Sequence, residues 1–319
     1  MWWTGRVARP KEPTTAAEGL LLVDKPAGVS SHDVVAVARR ALGEKRVGHT
    51  GTLDPFATGL LVLLVGRATR LLQYLPDEPK EYDALVSFGQ ETDTEDASGT
   101  VVREAPRPTV AALDDARAPL LGTILQVPPA YSAKHVGGTR AYQLARRGEP
   151  VVLAPATVTV HALDLSEFEP ADDGTVSRCR MRVVCGGGTY VRSLARDLAR
   201  GAGSAAHLTT LRRHRAGVFT LARAIPYERL LDGTPPLSIA PPIDALEGLP
   251  VQPLDPGEVA VVVRGMDVAA RVAGTHAALV EAQGRGELVA FAQRTRSEHG
   301  DRWQPRVVMR DAAPNTGEG

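Results

Sequence analysis

Two apolar runs stand out along an otherwise mixed chain, GLLLV at Gly19–Val23 and LLVLLV at Leu60–Val65. Both are short and bounded by turn residues, so they read as buried strands. A Lys-Pro-Ala-Gly turn after the first leads to a helix with Ser30 or Ser31 as N-cap; Asp33 suits its first turn and Gly43 ends it. After the second come a short helix at Ala68–Leu75 and a strand opening at Glu81-Tyr82. The acidic GQETDTEDASG reads as a turn joining that strand to VVRE in a hairpin. Further along, the pattern predicts a helix near Thr109–Leu120 and strands at Thr157–Leu165 and Ser177–Cys185. A Gly-Gly-Gly turn then opens a helix at Tyr190–Arg200.

No regular strand-helix alternation runs through these elements. They predict an α+β fold around a mixed, mainly antiparallel sheet and not a doubly wound parallel one. The proline-rich stretch Asp232–Pro250 reads as a boundary. The runs VAVVVRG, HAALVEAQ, ELVAFAQR and PRVVM beyond it predict a small β-barrel module ending near Arg310. The expected organisation is a polar, disordered extension over residues 1–18, a main domain over 19–243, the small module over 249–311 and a disordered tail over 312–319.

The chain has 319 residues, with 37 Lys+Arg against 37 Asp+Glu. The balance conceals a segregation. From Arg180 to Ala224 there are nine arginines against Asp197 alone, whereas Asp77 to Arg117 carries eleven acids and four bases. A segregated basic segment is what a phosphate-binding face requires, and a solvated helix face explains the count equally well. Cys179 and Cys185 match no disulfide framework or zinc spacing and read as core residues on one face of a strand. No apolar run is long enough for a signal peptide or a membrane span, which predicts a cytoplasmic protein.

The most unusual stretch is GHTGTLDPFATG, Gly48–Gly59. Asp54 before Pro55 has a plain explanation as the cap of a turn. Its neighbours change that reading. Gly48, Gly51 and Gly59 allow the backbone to hug a ligand, and the buried strand that follows can hold one carboxylate rigidly. A phosphate loop needs Gly-Lys-Ser/Thr, and an acyl-transfer elbow needs Gly-x-Ser-x-Gly; neither occurs. His49 with Asp54 supplies only two metal ligands, and the acidic turn Glu91–Asp96 lacks the glycine and distal glutamate of a calcium loop. A lone carboxylate remains, suited to nucleophilic or acid-base work with no metal or cofactor.

Five stretches in order, GLLLVDKPAGVSSHD, KRVGHTGTLDPFATGLL, KEYDALVSFGQETDTEDASG, GGGTYVRSLARDLA and HLTTLRRHRAG, resemble the bacterial tRNA pseudouridine synthase B (TruB) family. The resemblance runs from about Gly19 to Leu231, with a weaker echo beyond. It implies a pseudouridine-synthase fold with a C-terminal PUA-like RNA-binding module, and conversion of uridine 55 in the tRNA T loop to pseudouridine. Asp54 would be the catalytic aspartate. It would attack C1′ or C6, or deprotonate C2′; each route needs a positioned carboxylate away from competing water. Arg192 would pair with it, leaving Arg196 and Arg200 for solvent or phosphate. Tyr82 would stack on the target base, and His49 would take part in flipping it and fill the vacated stack.

Leu211 would line the pocket, with Arg212, Arg213 and Arg215 on phosphates. Lys25 and Pro26 would support the catalytic loop, and Tyr190 would pack under the site. In AYSAKHVGGTRAYQLARRG the family commonly has lysine where this chain has His135, with its own lysine one place earlier at Lys134. Together with Tyr142, Arg146 and Arg147, that segment would form an aromatic, basic lid. The implied partner is tRNA, through its T arm, bound by a monomer with no obligate protein partner. Two alternatives remain, a tRNA-folding aid with a vestigial pocket and a synthase acting on other RNAs. The short N-terminal tail favours a stand-alone tRNA enzyme.

Overall fold

The computed structural model describes residues 17–75, 78–132, 134–136, 138–149, 151–232, 237, 239–283, 286–298 and 300–311. The extension expected over 1–18 lies outside them except for Ala17 and Glu18, and the tail expected over 312–319 lies outside them altogether.

Strand β1 (Gly19–Lys25) pairs antiparallel with β3 (Thr58–Val65) at the heart of the molecule. Their runs are continuously apolar because both faces of the pair are covered. Leu21, Val23, Leu61, Leu63 and Val65 pack with α1 (Ser31–Leu42). Leu20, Leu22, Leu60, Val62 and Leu64 meet a 3₁₀ helix (Gly66–Tyr74) and the C-terminal module. Helix α1 starts at a capping box in which Ser30 and Asp33 satisfy each other's backbone N–H, and it stops at Gly43, whose φ is 62°.

The chain continues through β2 (Val47–Thr50), β4 (Lys80–Phe88), β5 (Gln90–Thr92), β6 (Val101–Glu104), α2 (Val110–Arg117), β7 (Gly122–Gln126), β8 (His135–Val136), β9 (Thr139–Arg140) and α3 (Ala141–Arg146). It then forms β10 (Ala156–Pro170), β11 (Val176–Cys185), α4 (Val191–Gly201), β12 (Ala206–Ala216), β13 (Phe219–Thr220), β14 (Ile225–Pro226) and α5 (Glu228–Leu231). The large sheet runs β14-β1-β3-β12-β4-β11-β10-β7, with β2 on β3 and β13 on β12. Only the β1/β14 and β3/β12 pairs are parallel. The sheet is therefore mixed and mainly antiparallel, and the fold is α+β. Helix α4 covers one face, its Leu194 and Leu198 packing with Tyr82, Val86, Met181 and Val183. Cys179 and Cys185 lie on that same buried face, and burial pushes their thiols up to about 12 and about 11.

Three expectations change. The acidic segment makes its hairpin between β5 and β6, while β4 is already paired on both edges by β11 and β12. The run VAVVVRG belongs largely to a helix, α6 (Pro256–Val262): Asp255 and Glu258 form a capping box and Pro256 starts the first turn, which outweighs the β-branched composition. Finally, the basic and acidic segments largely neutralise one another. Glu81 pairs with Arg182 and Arg215, Asp83 with Arg180 and His214, and Glu91 with Arg200.

Beyond the boundary, β15 (Val251–Leu254), β16 (Val268–Ala269), β17 (His276–Glu281), β18 (Leu288–Ser297) and β19 (Gly300–Val308) form a second sheet in the order β15-β17-β18-β19-β16. Trp303 is fully buried in it and donates its indole N–H to Gln252 Oε1 at 2.9 Å.

Candidate active site

Residues 51–57 form the connection between β2 and β3, and several side chains hold its backbone. Ser31 Oγ accepts from Leu53 N at 2.9 Å and donates to Leu53 O at 3.1 Å, tying the loop to the start of α1. Lys25 Nζ donates to the carbonyls of Pro26 (2.9 Å), Val29 (2.6 Å) and Pro55 (3.3 Å), and Gly28 N donates to Pro55 O at 2.8 Å. Burial lowers the Lys25 ammonium to about 8, against the opposing pull of the Asp54 charge. Arg213 Nε and Nη2 donate to Leu60 O (2.8 Å) and Gly51 O (2.9 Å). Gly59 has φ 99°, and a Cβ there would stand 2.3 Å from Arg213 O, so glycine alone lets β3 approach β12 at this point.

This scaffold presents Asp54 to Arg192, the second residue of α4. Arg192 Nε donates to Asp54 Oδ2 at 2.9 Å and Nη2 donates to Oδ1 at 3.1 Å, a bidentate pair. The guanidinium also donates to Thr94 O (2.6 Å) and Tyr131 O (3.0 Å). Its side chain is 4% exposed and that of Asp54 is 34% exposed. The arginine is thus fixed from all sides while the carboxylate keeps an open face.

That face looks into a cleft of about 800 Å³, bordered by Asp54, Tyr82, Tyr190, Arg192, Leu211 and Arg213. Tyr82 and Leu211 are buried, at 7% and 6% exposure. Gln126 brackets the Tyr190 backbone, accepting from its N–H at 2.8 Å and donating to its carbonyl at 3.1 Å, and burial raises the Tyr190 hydroxyl. Tyr142 also borders the cleft, with the Arg146 guanidinium 5.8 Å from its ring centroid.

Other expected site residues stand elsewhere. His49 does not border the cleft: its ring packs edge-on against His32 at 5.8 Å, its Nδ1 is buried with no hydrogen-bond partner among the described residues, and burial lowers its pKa. Among the described residues, His32 is the histidine that borders the cleft. Arg213 is 1% exposed and braces two carbonyls, which corrects its expected place on RNA phosphate. Arg212 and Arg215 lie off the cleft, Arg212 bonded to Asp24 at 2.7 Å and Arg215 Nε 3.5 Å from Glu81. Lys134 is exposed and off the cleft. Arg196, expected in solvent or on phosphate, is buried at 6% exposure, pairs with Glu95 and lies 2.8 Å from Asp197. Burial raises the Glu95 carboxyl while Arg196 opposes the rise.

The acidic turn, read from the sequence as a hairpin turn and tested as a calcium loop, was not assigned to the site, yet its Asp93, Thr94, Asp96 and Ser98 border the cleft. Its dense short polar side chains were a usable signal. Asp96 accepts from Ser98 N at 2.9 Å, and Tyr131 OH donates to Asp93 at 3.4 Å, so the turn is ordered by its own bonds and by the segment above it. Among the described residues no group of three or more His, Cys, Asp or Glu could hold a metal ion, and no helix is long and apolar enough to cross a membrane.

The family profile of the TruB family pseudouridylate synthases (N-terminal domain) matches residues 39–191. A tRNA pseudouridine synthase B of Thermobifida fusca is 46% identical over 253 residues, which span 78% of this chain and 86% of the relative. The chain belongs to the TruB family. Another member, from Mycobacteroides abscessus, is 41% identical over 297 residues, 92% of this chain and 97% of the relative, so the similarity extends into the C-terminal module. The fold is shared with an archaeal box H/ACA sRNP Nop10-Cbf5 complex, at TM-score 0.67 and 23% identity over 95% of this chain and 90% of that one. A Cbf5-Nop10-Gar1 complex gives TM-score 0.65 and 26% identity over 92% and 85%. The C-terminal sheet is accordingly PUA-like. The TruB profile takes in Asp54 and Tyr82 and stops one residue before Arg192.

Proposed function

We propose that this TruB-family chain isomerises uridine 55 in the T arm of tRNA to pseudouridine, acting as a monomer in the cytoplasm. The observation that carries the proposal is the carboxylate of Asp54, gripped in bidentate fashion by a buried arginine and open to a cleft that Tyr82 and Leu211 also border. The reaction breaks the N1–C1′ bond and forms C5–C1′, with no net oxidation and no water consumed. Asp54 would act on C1′ or C6 as a nucleophile, or on C2′ as a base. Arg192 holds both oxygens in place for any of these routes. The ring of Tyr82 offers a face for the uracil, and Leu211 closes the apolar side of the pocket.

A uridine stacked in the T loop cannot reach this cleft, so the nucleotide must swing out at a cost of a few kcal/mol, offset by stacking and polar contacts inside. Tyr142 and Arg146 supply an aromatic and a cation at the cleft's edge, suited to a neighbouring base or phosphate.

The test uses tRNA transcripts carrying tritium at uracil C5. One equivalent of tritium released per uridine 55, and none from a transcript with cytidine at that position, is the expected result. Tight tRNA binding without release from either transcript overturns the proposal in favour of a folding aid.

A further inference from the structure

Arg192 aims Asp54, and its own aim depends on two carbonyls. Besides its two bonds to Asp54, the guanidinium donates to Thr94 O at 2.6 Å and to Tyr131 O at 3.0 Å. Neither acceptor belongs to a helix or a strand: Thr94 lies in the acidic turn and Tyr131 in the connection that follows β7. A carbonyl in a turn orients a guanidinium only if the turn is itself held.

What holds it lies one residue further in the turn and one helical turn along α4. Arg196 repeats the reach of Arg192, donating from Nη1 to the Glu95 carboxylate and from Nη2 to Val127 O at 2.9 Å. Ser193 Oγ donates to Glu95 Oε2 at 2.8 Å. The two arginines thus tie the same two segments, 94–95 and 127–131, to one helix. The Glu95 backbone is held as well: its N–H donates to Thr92 O at 3.1 Å, and its carbonyl accepts from Leu208 N of β12 at 3.1 Å. Together these bonds keep a residue with a Cβ at φ 62°, a conformation that favours glycine.

The side chains of Glu95 and Arg196 are each 8% exposed, and Glu95 does not border the cleft. Taking two charges out of water offsets much of their attraction, so a buried pair adds little net stability; it supplies one arrangement in place of several. The arrangement in question is a single peptide plane. The carbonyl of Thr94 and the N–H of Glu95 are the two ends of one planar unit, so whatever fixes Glu95 also fixes the oxygen that Arg192 uses.

We propose that Glu95 is a positioning residue for the isomerisation: clamped by Ser193 and Arg196, it sets the Thr94 carbonyl, which orients the Arg192 guanidinium and through it the carboxylate of Asp54. This rests on the tRNA reading above. Asp54 must meet one particular carbon of the nucleotide, and a misplacement of about 1 Å lowers the rate by on the order of a hundredfold. The contacts that bind the RNA are untouched by such a shift.

Three variants test the assignment. Glu95→Gln keeps the shape and removes the charge, Glu95→Gly removes the side chain and suits the backbone, and Ser193→Ala removes one bond to the carboxylate. Single-turnover release of tritium from C5-labelled tRNA and tRNA dissociation constants are measured at a temperature where circular dichroism shows each variant folded. The rate should fall roughly tenfold in Glu95→Gln, further in Glu95→Gly and about threefold in Ser193→Ala, at affinities within about twofold of the wild type. Arg192→Lys cannot span both oxygens of Asp54, so adding Glu95→Gln to it should lower the rate by less than about threefold. Wild-type rates in the folded variants overturn the assignment. So does a loss of affinity that matches the loss of rate, or a second full tenfold loss on the Arg192→Lys background. Should Glu95→Gln fail to fold, Ser193→Ala decides by the same criteria. No release by the wild type overturns the tRNA reading and this role with it, whereas release by the wild type and Glu95→Gln at equal rates overturns the role of Glu95 alone.

Discussion

Arg213 and Arg196 show that the meaning of a charged side chain depends on partners far away in the chain. Arg213 follows Arg212 in a basic stretch, yet it is sealed against the carbonyls of Leu60 and Gly51. Arg213→Ala leaves two buried acceptors without donors, so it should lower stability by about 2 kcal/mol or more. The salt dependence of RNA binding should not change. A shallower salt slope at unchanged stability would return Arg213 to the phosphate backbone. Arg196 repeats at helical spacing with Arg192 and Arg200, which reads as a solvated face; Glu95, the acid that buries it, lies 101 positions earlier. That Asp54, Tyr82 and Arg192 would meet at one cleft was legible because each sits in a stretch whose composition has no better explanation, or whose resemblance is specific.

Lys25 gives a pH prediction at the same scale. Its folded-state value of about 8 lies below the ordinary 10.5. Below pH 8 the amine is protonated in both states and the cost of burying its charge is present in full. Between 8 and 10.5 the unfolded chain holds a proton that the folded one has released, so stability rises with pH. Urea unfolding of the wild type and Lys25→Met across that window should therefore show the difference moving in the wild type's favour. A constant difference contradicts the burial of a charged amine.

Among the elements, those with local stop and start signals were readable. Helix α1 was marked at both ends by Ser30 with Asp33 and by Gly43. Strand β12 was not, because HLTTLRRHRA hides its alternation: Arg213, a charged residue, occupies an inward position beside Leu211. Helix α6 was misread because five residues of β-branched or small apolar type outweighed the capping box before them.

The loop between β2 and β3 tests how firmly one element holds another. Ser31→Ala removes both side-chain bonds to Leu53, so it should cost about 1–3 kcal/mol and slow turnover while leaving RNA affinity unchanged; unaltered stability and turnover would dissociate α1 from the loop. Gly59→Ala should fail to fold or lose several-fold more stability than Gly28→Ala. Both glycines have positive φ, 99° and 81°, but only at Gly59 would the added carbon meet backbone, 2.3 Å away. Equal melting temperatures for the two variants would contradict that close approach.

Across the whole molecule, the PUA-like module and the main domain share one apolar cluster that no boundary signal in the sequence revealed. The proline-rich linker suggested separation, yet Phe291 stacks on Tyr74 at 4.4 Å and on His276 at 5.3 Å, and Arg67 and Arg70 reach the carbonyls of Met309 and Val308. Phe291→Ala should cost about 3–5 kcal/mol, and the wild type should unfold in a single transition; two separate calorimetric transitions would make the module an independent unit. The pairing of the acidic and basic segments is also visible only at this scale, since it forms across strands β4, β11 and β12.

All of these features converge on one carboxylate held by a guanidinium beside a cleft. Asp54→Asn keeps the shape of that side chain and removes its charge. The most direct measurement is single-turnover tritium release from C5-labelled tRNA by this variant beside the wild type, with tRNA affinity measured in parallel. Binding within a few-fold of the wild type and no detectable release is the predicted result. Release at the wild-type rate would contradict the assignment of Asp54 and of the cleft around it.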